Sequence, residues 1–171
     1  MNNTQNIEAI ISKEISSLVS RKFLLAFSGG IDSVVLLDLL ANLLKESDQL
    51  RIIHINHNLN EYSDDWAQFS REICGKYGLP FIYASVKPKR QSKGLEADAR
   101  ELRYQSFREV IQDDEYLLTG HHQDDQMETL LYRIFRGTGI DGLRAIRKET
   151  KFSKGFLYRP MLNVTREKIE E

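Results

Sequence analysis

Apolar positions recur along the chain at two different periods. Ile7, Ile10, Ile11, Leu18 and Val19 fall at helical spacing with Thr4 placed to cap them, which predicts an amphipathic helix packed on the edge of a sheet. Four short apolar runs follow: Phe23-Leu24-Leu25-Ala26-Phe27, Ile52-Ile53-His54-Ile55, Phe81-Ile82-Tyr83-Ala84 and Tyr116-Leu117-Leu118, each succeeded by a loop and a helical pattern. Strands that are apolar on both faces and alternate with helices predict a parallel sheet covered on both sides. Right-handed crossovers make this a doubly wound, mostly parallel α/β fold of Rossmann-like type, with ligands at the carboxyl ends of the strands.

The helical patterns fit that scheme. Ser33 to Lys45 is apolar almost all round, as a deeply packed helix requires. Ser63 to Tyr77 carries Trp66, Phe69, Ile73 and Tyr77 on one side, and Gly94 to Gln112 brings Arg100, Arg103, Phe107 and Ile111 near a common face. Asp124 to Arg136 is expected to bury Met127, Leu130, Leu131 and Ile134. Lys87 to Lys93, basic and containing Pro88, is expected to be a mobile loop beside the ligand end of the sheet. Arg166 to Glu171 is helical, either a short solvated tail or the start of further protein.

Composition narrows the class. A chain of 171 residues with 41% hydrophobic content suits one domain, residues 1–171. The run Val34-Val35-Leu36-Leu37 stops at Asp38, far short of the roughly 18 residues of a membrane span. With no secretory signal at the start, a cytoplasmic location is expected. The single cysteine, Cys74, cannot form an internal disulfide and cannot alone supply a thiolate cage or an iron-sulfur cluster. The net charge of -1 hides an uneven distribution: Arg133 to Lys154 holds seven basic residues against two acidic ones. That stretch is either a phosphate-backbone contact or a solvated surface. Oligomeric state, a homodimer included, is not encoded legibly.

The strongest chemical signal follows the first strand. In Ser28-Gly29-Gly30-Ile31-Asp32-Ser33 the adjacent glycines let the backbone turn tightly, and the helix that follows adds positive partial charge for an anion. Ser28 and Ser33 offer hydroxyl donors, and Asp32 can hold a magnesium ion against nucleotide phosphates. A plain Gly-Gly turn with Asp32 and Ser33 capping the helix is the simpler alternative, but five specified residue types at a strand-to-helix junction favour the nucleotide. The spacing fits neither a Walker loop nor a dinucleotide fingerprint. It resembles the pyrophosphatase loop of the N-type ATP pyrophosphatases (the PP-loop superfamily), whose adenine nucleotide alpha hydrolase type of fold cleaves ATP between the α and β phosphates.

Four further segments refine the resemblance: His54-Ile55-Asn56-His57, the stretch from Gly94 to Tyr104, Thr119-Gly120-His121-His122-Gln123-Asp124-Asp125-Gln126-Met127-Glu128-Thr129, and the stretch from Arg133 to Leu143. In order and spacing they are similar to the tRNA(Ile)-lysidine synthetases, from about Phe23 to Arg166. That resemblance implies a ligase that uses ATP and Mg²⁺ to adenylylate the wobble cytidine of tRNA(Ile) and then joins L-lysine to carbon 2. It also implies C-terminal tRNA-gripping domains absent from these 171 residues, so residues 1–171 alone are expected to bind ATP with little or no turnover.

His54, Asn56 and His57 lie where such a fold receives adenosine, as ligand contacts or as satisfied structural groups. Arg100 is spaced for a helix ion pair with Glu96, worth only about 0.2–0.5 kcal/mol, or for clamping triphosphate oxygens together with Arg103. His121, Asp125 and Glu128, at i, i+4 and i+7, are expected to project together as catalytic groups that orient cytidine, bind Mg²⁺ (Asp32 and Asp125) and handle the lysine amine, while Asp124 stabilises the helix dipole. Gly137, Gly139 and Gly142 would let the next loop lie near RNA or close over the site. Two departures from the family pattern, Asn58 and Arg144-Ala145-Ile146, bear on the substrate loop rather than the phosphate loop. A tRNA 2-thiolation enzyme of the same fold would need more cysteines. A non-catalytic nucleotide-binding or RNA-binding module would have no reason to keep Asp32, His121, Asp125 and Glu128.

Overall fold

The computed structural model describes residues 6–18, 20–45, 48–59, 62–88, 94–137, 139 and 143–171. The expected cap Thr4, Val19, most of the Lys87–Lys93 loop and Gly142 lie outside them. The four apolar runs form β1 (Phe23–Ala26), β2 (Leu50–Asn56), β3 (Phe81–Ser85) and β4 (Tyr116–Leu118). Parallel pairing sets Leu25 opposite Ile52 on one side and Leu118 on the other. The helices are α1 (Ile7–Ser16), α2 (Ile31–Leu43), α3 (Ser63–Lys76), α4 (Leu95–Val110), α5 (Gln123–Phe135) and α6 (Arg166–Glu170).

Sequence periodicity did not anticipate the last two strands, β5 (Glu149–Phe152) and β6 (Gly155–Tyr158). They complete one sheet of order β3-β2-β1-β4-β6-β5, in which β6 runs parallel to β4 and β5 is the antiparallel edge. Gly155 is required where β6 starts: a Cβ there would stand 2.1 Å from the Glu115 carbonyl oxygen, which accepts the Phe156 amide at 3.0 Å. At this same amino end of the sheet the fully buried Glu115 carboxylate is held by Arg51 at 2.8 Å.

Alternate strand residues feed two cores. Phe23, Leu25, Ile52, Leu118 and Tyr158 face α1, α2 and α6, while Leu24, Ile53, Leu117 and Leu157 face Phe107 and Ile111 at the end of α4. α1 packs through Ile11 and Ile15 on α2 and the first of these faces, not on a sheet edge. Asn6 caps it by accepting from the Glu8 amide, and Glu14 ties it to Tyr158 and Lys148.

α5 departs most from expectation. None of its side chains is buried: Met127, Leu131 and Ile134 are about half exposed, Leu130 is half-buried, and Phe135 is 86% exposed. α5 contributes no side chain to either core and is held by polar contacts instead. The Gln126 side chain donates to and accepts from the Ile146 backbone at 2.9 and 2.7 Å, and Arg133 donates to the Ala145 carbonyl at 2.9 Å. No described helix is long and apolar enough to cross a membrane.

Candidate active site

Strand order reverses around β1, whose neighbours β2 and β4 are reached in opposite directions, and this opens a crevice at their carboxyl ends. The Ser28–Ser33 loop sits there, between β1 and α2. Gly29 has φ +86° with the Trp66 ring 3.0 Å from where a Cβ would lie, so a side chain is excluded on both counts. Gly30 is the N-cap, and no side chain caps the helix. The simpler reading of Asp32 and Ser33 as caps therefore does not describe the loop. Ser33 shapes it: its hydroxyl donates to the Gly30 carbonyl at 2.8 Å and accepts the Gly29 amide at 3.1 Å. Ser28 lies within 3.1 Å of that hydroxyl. The first-turn amides of Ile31 and Asp32 have no intrahelical acceptor and bear the positive end of the helix dipole.

Asp32 is held close to the end of β4, where a Cβ on Gly120 would stand 3.4 Å from its backbone. Its Oδ1 is enclosed without a hydrogen-bond partner, flanked by His122 Nε2 at 3.8 Å and an Arg166 nitrogen at 3.6 Å. His122 is itself the N-cap of α5: its ring accepts the Asp124 amide at 3.3 Å, and Asp125 Oδ2 accepts the His122 amide at 2.8 Å. Asp125 thus closes the capping box, while Asp124 stands in the first turn, where sequence spacing placed it to stabilise the helix dipole.

Two cavities meet at this end of the sheet. A cleft of about 300 Å³ is lined by Ser28, Asp32, Ser33, His57, Arg100, Arg103, His121 and Asp125. An adjoining cavity of about 520 Å³ shares Arg100, His121 and Asp125 and adds Glu128, Arg133, Arg144, Arg147 and Arg159. The expected trio is therefore split: His121 and Asp125 stand on the wall common to both, and Glu128 faces only the second. Arg100 lies over the Tyr104 ring at 5.2 Å rather than in an ion pair with Glu96. Arg103 donates to His57 Nε2 at 3.1 Å.

The end of β2 separates structural from cleft-facing groups. His54 is buried, with Nδ1 3.0 Å from the Phe27 carbonyl and 3.2 Å from the Ser70 hydroxyl. Asn56 braces Asp64, Tyr83 and the Asn58 amide. Of that segment Ile55 and His57 line the cleft, His57 as its polar member there. Burial first, and then the charge of Arg103, lowers its pKa. Burial, seconded by Arg159, pushes His121 down to about 4, and its Nδ1 lies 2.8 Å from the Thr119 hydroxyl. Both imidazoles are neutral near pH 7, so the positive charge of the cleft resides on guanidinium groups.

Among the described residues no three His, Cys, Asp or Glu side chains converge as a metal cage. Asp32 and Asp125 on one cleft, the first with an orphaned oxygen, match Mg²⁺ in the mode where one or two carboxylates are completed by phosphate oxygens and water. Cys74 is buried in the core, its thiol pushed up to about 11 by desolvation. His122, Arg159 and Arg166 were missed by sequence reasoning. His122 stood inside a quoted motif, Arg159 became visible only with β6, and nothing in the local pattern marks Arg166.

The PP-loop domain family matches residues 2–171. Among curated proteins, the tRNA(Ile)-lysidine synthase of Actinobacillus pleuropneumoniae serotype 3 is 46% identical over 151 residues, covering 88% of this chain and 35% of that protein. That of Serratia proteamaculans is 39% identical, covering 99% and 39%. The chain thus spans little more than a third of the length of these relatives. Among solved structures, the U34-tRNA thiolase NcsA of Methanococcus maripaludis with its [4Fe-4S] cluster superposes with TM-score 0.71 at 18% identity, over 96% of this chain and 61% of that one. The NH3-dependent NAD synthetase of Campylobacter jejuni gives 0.55 at 14% identity, over 95% and 67%. Such identities establish a common doubly wound fold and no more. A glycine-paired loop leading into α2 at its switch point, together with a match spanning nearly every residue, makes this chain a member of the PP-loop domain family.

Proposed function

We propose that the chain is the ATP-binding catalytic domain of a cytoplasmic tRNA(Ile)-lysidine synthase, which uses ATP to join L-lysine to carbon 2 of the wobble cytidine in the CAU anticodon. The observation that carries this reading is the phosphate loop opening onto a wall, His121 and Asp125, shared with a second, acid- and arginine-lined cavity. One site suits the nucleotide and the other an amino acid. Identity of 37–46% to several lysidine synthases supports it.

In this reading the polyphosphate lies against the Ser28–Ser33 loop and the α2 amides, with Arg100 and Arg103 over its oxygens. Asp32 and Asp125 would hold Mg²⁺, which neutralises phosphate charge when bound. The cytidine base oxygen bonds to the α phosphorus as the bond to the bridging oxygen breaks and pyrophosphate leaves. Positioning and a fixed positive field lower this barrier. Lysine enters the adjoining cavity, its ε-ammonium passes a proton to water, and the amine attacks carbon 2 while AMP departs with the former base oxygen. Neutral His121 offers a hydrogen bond to that amine without repelling its ammonium form. The rival 2-thiolation chemistry would need more than one buried, protonated cysteine.

The test is release of AMP from ATP with an isoleucine tRNA transcript, by a protein carrying this domain together with the C-terminal region found in the relatives. Release that depends on both lysine and tRNA is expected. AMP formation indifferent to lysine, or none at all, overturns the proposal.

A further inference from the structure

Arg159 follows the last residue of β6 and lines the second cavity. It is 8% exposed, whereas Arg100, Arg144 and Arg147 on the same cavity are exposed. The guanidinium donates to the Arg147 carbonyl at 2.5 Å and hydrogen-bonds the Tyr104 side chain, while Nε is enclosed with no partner. Among the described residues no carboxylate forms an ion pair with it. A buried guanidinium without a counter-ion is costly, and proteins normally pair such a charge or leave it for a ligand. An oxyanion delivered to this cavity would complete it.

The cavity's other charges select which oxyanion. Asp125 and Glu128 stand among Arg100, Arg133, Arg144, Arg147 and Arg159 on the same walls, so the cavity presents both signs of charge, as a zwitterion requires. An α-amino acid carries an ammonium beside its carboxylate, and Glu128 can take the first where Arg159 takes the second. Its side chain can then extend toward His121 and Asp125, on the wall shared with the nucleotide cleft. A volume of about 520 Å³ suits a small molecule.

We propose that Arg159 is the α-carboxylate anchor of the amino-acid substrate, the residue that makes the site select an amino acid over a simple amine. This rests on the lysine-ligase reading. It adds a specificity determinant that the phosphate loop and the shared wall do not supply.

The experiment compares L-lysine with pentane-1,5-diamine, which keeps the amine chain and lacks the carboxylate, in the full-length protein with ATP and tRNA transcript. The wild type is expected to favour lysine by about 100-fold in kcat/KM, and Arg159→Gln to raise KM for lysine about 30-fold and shrink the preference to a few fold. Pyrophosphate release without lysine reports folding and adenylylation, and it should stay within about twofold, since Arg159 is assigned no phosphate contact. Arg159→Lys, which keeps the charge but not the planar fork, should fall between. The proposal is overturned if the wild type treats both amines alike, or if Arg159→Gln leaves the lysine KM unchanged. It is also overturned if that variant depresses pyrophosphate release and both amines in parallel, which would assign the guanidinium to phosphate. Should the wild type release no AMP in response to lysine, the ligase reading fails on its own, before any variant is made, and the anchor falls with it.

Discussion

His121 links burial to pH at the scale of a single side chain. Desolvation holds its folded imidazole near 4, while the unfolded one takes up a proton near 6.5. Between those values the unfolded chain binds more protons, so the stabilisation is complete above pH 6.5 and is lost as pH falls toward 4. His121→Gln keeps a polar side chain that does not titrate. From about pH 7.5 to about pH 5, unfolding free energy should fall by about 1–2 kcal/mol more in wild type than in this variant. Urea titrations at the two pH values measure it, and parallel losses would mean that the imidazole is not desolvated as described. Asp32 shows a second residue-scale effect: its orphaned oxygen between His122 and Arg166 leaves an acceptor unsatisfied, a cost that a functional site carries more readily than a core.

Elements differ in how much of the fold they hold. Leu36 on α2 is fully buried and Phe135 on α5 is 86% exposed, although both stand in apolar helical patterns. Leu36→Ala should cost about 2–5 kcal/mol by creating a cavity. Phe135→Ser should change stability by no more than about 0.5 kcal/mol. Denaturant midpoints compare the two, and a large loss from Phe135→Ser would show that this end of α5 is packed rather than exposed. β1 to β4 were legible because strands buried on both faces leave unbroken apolar runs. α5 was legible as a helix but not in its environment, since periodicity reports an apolar stripe and not what covers it. β5 was hidden because Glu149, Thr150 and Lys151 give an edge strand no apolar signature. β6 was hidden with it, and so was Arg159 at its carboxyl end. In the site, the loop at 28–33 was readable from residue types at one junction. The split of His121 and Asp125 from Glu128 was not, because it depends on where α5 lies against the 143–147 segment.

Across the whole molecule, charge is distributed by function more than by patch. Part of the basic stretch 133–154 is used internally: Lys148 pairs with Glu14, Arg133 bonds the Ala145 carbonyl, and Lys151 lies 4.5 Å from the Phe156 ring centre. Arg144 and Arg147, exposed at the second cavity, remain at the ligand end of the sheet. The opposite end is closed by the Arg51–Glu115 pair, a structural contact remote from the cleft. In the proposed function the loop between β1 and α2 receives the polyphosphate of ATP. Calorimetric titration of the chain with Mg²⁺ and an ATP analogue that resists cleavage between the α and β phosphates tests it directly. Wild type should bind, Asp32→Ala should bind at least about tenfold more weakly, and Gly29→Val, which puts a side chain at φ +86° against Trp66, should lose binding. Unchanged affinity in both folded variants would contradict the account.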